Sequence, residues 1–95
     1  MTMEPVQFTA RIRYWKPEEA RGLAVIDVPE AHVAALGGLR QQRAHGTIGG
    51  VAFASSVMPA GGGRLALTVS KAMLAASGLA VGETADIAIT GIGSG

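Results

Sequence analysis

Sliding the chain along itself by 41 residues lays Val28 on Val69, Ala31 on Ala72, Ala34 on Ala75, Ala35 on Ala76 and Gly37 on Gly78, then Ala44 on Ala85, Ile48 on Ile89 and Gly50 on Gly91. Four of these eight identities are alanine in an alanine-rich chain, so the count alone carries little weight. The stronger signal is that glycines able to stop a helix and apolar residues able to register a strand return at one offset. Two halves of this size, about 6–50 and 51–91, are each too small to bury a secure core and must share one. The repeat therefore predicts a single domain over residues 1–91, made of two fused halves related by a pseudo-twofold axis, with 92–95 as a flexible tail.

Local patterns give each half the order strand, strand, helix, strand. Val6, Phe8, Ala10, Ile12 and Tyr14 alternate with Gln7, Thr9, Arg11, Arg13 and Trp15, the period of two of a half-buried strand. Lys16 to Gly22 is a loop, and Leu23 to Val28 is a nearly unbroken apolar run that suits a strand covered on both faces. Pro29 fits the first position of a helix over Glu30 to Leu36, which Gly37 and Gly38 would end. Gly49-Gly50 between Ala44–Ile48 and Val51–Met58 marks a hairpin, because a two-residue hairpin turn needs positive φ at both positions. After a reversal at Pro59 to Gly63 come a strand over Arg64–Val69, a second helix capped by Ser70 and ended by Gly78, and a last strand over Thr84–Thr90. Six strands in one small domain must dispose of their edges, and closing the sheet into a barrel does so. The expected fold is mainly β: a closed six-stranded barrel in the order ββαβ-ββαβ, with two short helices over its ends. Val33 and Leu36 would be buried from the first helix, Met73 and Leu74 from the second.

Composition narrows the function classes. Charged residues make up 16% of the 95 residues and apolar residues 48%, which excludes a disordered, highly charged tail. The absence of cysteine excludes disulfides and thiolate metal sites, and two histidines 13 residues apart match no standard ligand spacing, so no metal or cofactor is expected. No basic segment leads into an apolar run at the N-terminus, and the longest uncharged stretch is broken by glycines and Pro59, so a leader and a membrane span are not expected and a cytoplasmic location is. Net charge is only +1, but residues 31–82 hold Arg40, Arg43, Arg64 and Lys71 without a single acid.

Phe8-Thr9-Ala10, Val28-Pro29, Ile48-Gly49-Gly50, Ser56-Val57-Met58-Pro59 and Gly78-Leu79-Ala80-Val81-Gly82-Glu83, in this order and spacing, resemble the bacterial and archaeal family called domain of unknown function 1905. The resemblance covers about residues 6–91. It implies a double-split β-barrel, a pseudo-barrel grouped with the fold of swapped-hairpin transcription factors and antitoxins. Members often carry an aromatic residue in the second strand, where this chain has Leu23-Ala24-Val25. The family brings no established activity with it.

Candidate chemistry is sparse. Ser55, Ser56 and Ser70 offer hydroxyls, but no Ser-His-Asp spacing emerges, and Ser70 reads as a helix cap. Asp27 and Asp86 stand on different strands and read as anchoring carboxylates rather than an acid–base pair. Gly61-Gly62-Gly63 leads into a strand and lacks the Lys-Ser/Thr pair of a P-loop. His32 reads as an ordinary helix-surface histidine. His45 shares a strand face with Arg43 and Thr47, and Trp15 lies in line with Arg11 and Arg13, either as a stacking platform between cations or folded over the barrel rim. The reading is a non-enzymatic, monomeric barrel module with no catalytic residue, which binds a small molecule or protein through Arg11, Arg13, Trp15, Arg43 and His45. The alternative is a nucleic-acid binder that uses Arg11, Arg13, Lys16, Arg43 and Arg40, by analogy of fold.

Overall fold

The computed structural model describes residues 5–16 and 22–93; Pro17 to Arg21 of the expected loop, and Ser94 and Gly95 of the expected tail, lie outside the described residues. Strand β1 (Val6–Tyr14) alternates as its pattern requires, with Val6 and Ile12 buried and Gln7, Thr9 and Arg11 exposed. Strand β2 (Ala24–Val28) is buried at every position but Asp27, the double coverage that its apolar run implies. Strands β3 (Gln42–Ile48) and β4 (Val51–Gly61) form the expected hairpin. Gly49 at φ 57° and Gly50 at φ 83° supply the two left-handed residues that let the turn follow the twist of the strands. Strand β5 (Arg64–Val69), helix α1 (Lys71–Ser77) and strand β6 (Thr84–Ile92) complete the chain.

All six strands pair antiparallel in a closed ring, β1-β2-β5-β4-β3-β6, so each strand has a hydrogen-bonded neighbour on both sides. The interior is filled by Ile12, Ile26, Ile48, Val57, Leu65, Leu67 and Ile89, none of which retains any exposed surface. Ile26 lies opposite Leu67, and Thr47 opposite Ala88. The β3–β6 ladder slips by one residue between His45 and Gly46, leaving Thr90 as the extra residue of a bulge. At that slip a Cβ on Gly46 would stand 1.8 Å from the Ala88 carbonyl oxygen, so only glycine fits.

Helix α1 covers the barrel end at which β5 finishes. Its cap is the expected one: the Ser70 hydroxyl accepts from the Met73 N–H at 3.1 Å, and Met73 is buried with Leu74 packed beside it. The opposite end departs from expectation. Residues 30–36 are not a helix but two successive 3-10 turns, Glu30–His32 and Ala34–Leu36, so the barrel has one capping helix and not two. Pro29 is the reason. It lies outside the first turn in extended conformation, φ −56° and ψ 138°, with no side chain to cap the free N–H groups, whereas Ser70 caps α1 over the same seven-residue spacing to a left-handed glycine. The turns still perform the packing assigned to a helix, since Leu36 is fully buried and Val33 packs on the core.

Two smaller differences follow from tertiary pairing. β6 continues past Thr90 to Ile92, which pairs with Ala44, and the Gly93 N–H donates to the Arg43 carbonyl at 2.8 Å. His32 is half-buried rather than on a free surface, with its ring stacked on Phe8 at 6.0 Å between centroids.

Candidate functional site

Arg13 faces outward from β1, and its guanidinium grips the Asp27 carboxylate on β2 through two bonds, Nε to Oδ2 at 2.7 Å and Nη2 to Oδ1 at 2.8 Å. Its remaining nitrogen, Nη1, donates to the carbonyls of Tyr14 at 3.1 Å and Trp15 at 3.4 Å. The hydrogen bond from Arg13 holds the Asp27 carboxyl below the usual carboxylate range against the opposing effect of its partial burial. The same bond raises the Arg13 pKa in turn. With all its nitrogens engaged, Arg13 ties β1 to β2. Arg11 is also tethered, since its Nε donates to the Gly82 carbonyl at 3.0 Å. Trp15 lies one residue beyond β1, half-buried, and its backbone N–H donates to the Leu23 carbonyl at 2.7 Å.

Arg43 and His45 are exposed on β3, two strands away across β6. Arg11 stands opposite Thr84 at the start of β6, whereas the Arg43 carbonyl takes the N–H of Gly93 just past its end. Nine residues of strand at about 3.3 Å each separate the two positions by about 30 Å along β6. The five residues singled out in the sequence therefore form no single constellation. His45 covers Gly91, where a Cβ would meet the imidazole ring.

Several hydroxyls and carboxylates are likewise occupied by structure. Ser55 donates to the Thr68 carbonyl at 2.7 Å, Thr9 donates to Asp86 at 2.8 Å, and Glu83 accepts from the Ala80 N–H at 2.9 Å. Among the described residues no three His, Asp or Glu side chains are grouped so as to hold a metal ion, and no helix is long and apolar enough to cross a membrane.

Several depressions open on the described surface, one of about 390 Å³ lined by Arg11, Arg13 and Gly82 among them, and two larger ones are the candidates for receiving a partner. The first, about 560 Å³, opens at the α1 end of the barrel and is walled by Tyr14, Leu23, Ala24, Val69, Leu74 and Val81, with Ser70 and Lys71 at its rim. Leu23 is 43% exposed there, one of two large apolar side chains so exposed among the described residues. The second, about 500 Å³, lies at the other end beside Arg40, Arg43 and Ser56. Sequence reasoning missed the first because Leu23 and Leu74 read as core when taken singly. The available signal was that Leu23 opens an apolar run directly after a polar loop.

The comparisons with known proteins bear on family alone. No curated protein and no solved structure matches the chain. The model of the domain of unknown function (DUF1905) matches residues 8–89, from within β1 to within β6, and on that match the chain belongs to the domain of unknown function 1905 family.

Proposed function

We propose that the protein is a non-enzymatic barrel module that takes up a small molecule, apolar in body and anionic at one end, in the depression under α1. The carrying observation is the wall itself: an exposed Leu23 beside Tyr14, Leu74 and Val81 in a space of about 560 Å³, with the Lys71 ammonium at its mouth. Pockets of roughly 300–1,000 Å³ that combine apolar walls with a few polar groups are the usual form of small-ligand sites. Octanoate and octanol serve as probes, read through the fluorescence of Trp15, whose backbone is bonded to Leu23. Octanoate should bind more tightly than octanol, Lys71→Glu should remove that preference, and Leu74→Asp should remove binding of both. Saturation by neither probe, or binding indifferent to both substitutions, would refute the proposal.

The nucleic-acid alternative draws less support. It needs Arg11, Arg13, Lys16, Arg40 and Arg43 to present a common charged face, whereas Arg13 is neutralised by Asp27 and Arg11 and Arg43 lie far apart along β6.

The same proposal includes a monomer of two fused halves. The ring order reads the same when β1 exchanges with β4, β2 with β5 and β3 with β6. Under that exchange the pair Ile12 and Ile26 becomes Val57 and Leu67, and Val6 and Ile89 become Val51 and Ile48. Ile26–Leu67 and Thr47–Ala88 each map onto themselves, as pairs lying on a twofold axis must. Light scattering should give one chain per particle, and a tight obligate dimer would count against the fused-half reading.

A further inference from the structure

The second depression lies at the end of the barrel away from α1, where the loop after the 3-10 turns enters β3. Arg40, Gln41, Gln42, Arg43, Ser56 and Gly93 enclose about 500 Å³. Arg43 is directly paired with Ser56 on β4, so their outward side chains start about 5 Å apart and reach over the same ground. Arg40 comes from a braced loop: the Gly38 N–H donates to the Val33 carbonyl at 3.0 Å, the Arg40 N–H to the Gly38 carbonyl at 3.1 Å, and Gln42 Nε2 to the Leu36 carbonyl at 2.7 Å.

None of the six is acidic, and the chain has no acid from Ala31 to Gly82. The contrast with β1 is informative. Arg13 is bound to Asp27 and Arg11 to a carbonyl, whereas among the described residues Arg43 has neither an ion pair nor a side-chain hydrogen bond. Arg40 has only a long contact of 3.4 Å to Gln42 Oε1. Exchanging the two halves brings Arg11 and Gly82 onto this place, and there the arginine is tethered to the Gly82 carbonyl beside a smaller depression of about 390 Å³. Here the short Ser56 stands in the position of Arg11, and the larger depression is lined by two arginines that no carbonyl or acid engages closely.

Two cations held side by side without an acid repel one another, and a shared anion relieves that repulsion. Two guanidinium forks and a hydroxyl match the several oxygens of a tetrahedral dianion better than the two of a carboxylate. We infer that Arg40, Arg43 and Ser56 form a binding site for the phosphate group of a small phosphomonoester. It stands apart from the pocket under α1, which shares none of its residues.

Titration of the full chain with inorganic phosphate and with ribose 5-phosphate, followed by backbone amide shifts, tests this. Saturable shifts should centre on Arg40 to Arg43, Ser56 and Gly93. Arg43→Gln and Arg40→Gln should each weaken binding about tenfold or more, the usual effect of losing a charged hydrogen-bond donor. Both variants should melt with the parent, and Arg11→Gln should bind as the parent does. A 12-nucleotide single strand separates a free phosphomonoester from a nucleic-acid backbone. Three results would each overturn the assignment: no saturation at about 10 mM of either phosphate, unchanged affinity in Arg43→Gln, or oligonucleotide binding far tighter than that of ribose 5-phosphate with shifts spreading to Arg11.

Discussion

Replacing Gly46 by alanine adds one methyl group at the point where β3 and β6 come closest. The new Cβ would lie 1.8 Å from the Ala88 carbonyl oxygen, 2.8 Å from its carbon and 2.9 Å from the Ile89 Cα, whereas ordinary contact begins at 3.4 Å. All three atoms are backbone, so no side chain can rotate away, and β6 must retreat by the difference, about 1.6 Å. A ladder bond of about 2.9 Å stretched that far is broken. Two such bonds left unmade inside a closed ring, at about 1–3 kcal/mol each, together with displacement of the fully buried Ile48 and Ile89, put the cost at about 3 kcal/mol or more. A domain of this size has about 5–14 kcal/mol in total, so the variant should be partly unfolded or melt lower by roughly 12 °C or more. Thermal and urea denaturation followed by far-ultraviolet circular dichroism measure it. Gly91→Ala is the control. Its Cβ also meets a neighbour, but that neighbour is the exposed His45 ring, which can swing aside, so the cost should stay below about 1 kcal/mol. The reasoning fails if Gly46→Ala lies within 1 kcal/mol of the parent, or if Gly91→Ala costs as much.

Asp27→Asn should destabilise at neutral pH by about 1 kcal/mol or less, because both partners of the ion pair are more than a third exposed. The folded Asp27 pKa is depressed, so its contribution is full above the unfolded carboxylate value and lost as pH falls through the lower folded one. The parent and variant stability curves should therefore converge below about pH 4, and a gap that persists or widens in acid contradicts the ion pair. Ser70→Ala removes the cap of α1 and should cost about 1 kcal/mol, read as a melting point lower by roughly 4–8 °C; an unchanged melting point would mean that the cap contributes nothing. Ile26→Ala and Leu67→Ala, at two fully buried positions facing one another, should each cost about 2–5 kcal/mol and agree within about 1.5 kcal/mol, and a wider disparity in urea midpoints argues against equivalent halves.

Legibility in the sequence followed the range of the forces involved. β1, the Gly49-Gly50 hairpin and the Ser70 cap are set by neighbours a few residues away, and each lies where local reasoning places it. Residues 30–36 have helical propensity, but Pro29 offers no cap where the equally short α1 has Ser70, so the weaker 3-10 geometry prevails. Ile92 and Gly93 look like a fraying end on local grounds and are held by β3, a strand about 50 residues earlier. The arginines show the same division. Alternation placed Arg11, Arg13 and Arg43 on the outer face, but not Asp27 as the acceptor that takes Arg13 out of use, nor the length of β6 that parts Arg11 from Arg43. The pocket under α1 was least legible, because its wall is drawn from β1, β2, β5, α1 and the segment before β6.

The ring closes through β1 and β6, where Val6 pairs with Ile89 across 83 residues of chain. That seam fixes the timing of folding during synthesis. The first strand made is the one whose last partner is made at the end, so β1 keeps an open hydrogen-bonding edge until residues 84–92 have left the ribosome. Ladders this distant in sequence place such a barrel among the slow folders, on the scale of milliseconds to seconds. A chain emerged beyond Val69 but stalled before Thr84 would hold two unsatisfied edges, β1 and β3, exposed to pairing with another nascent copy.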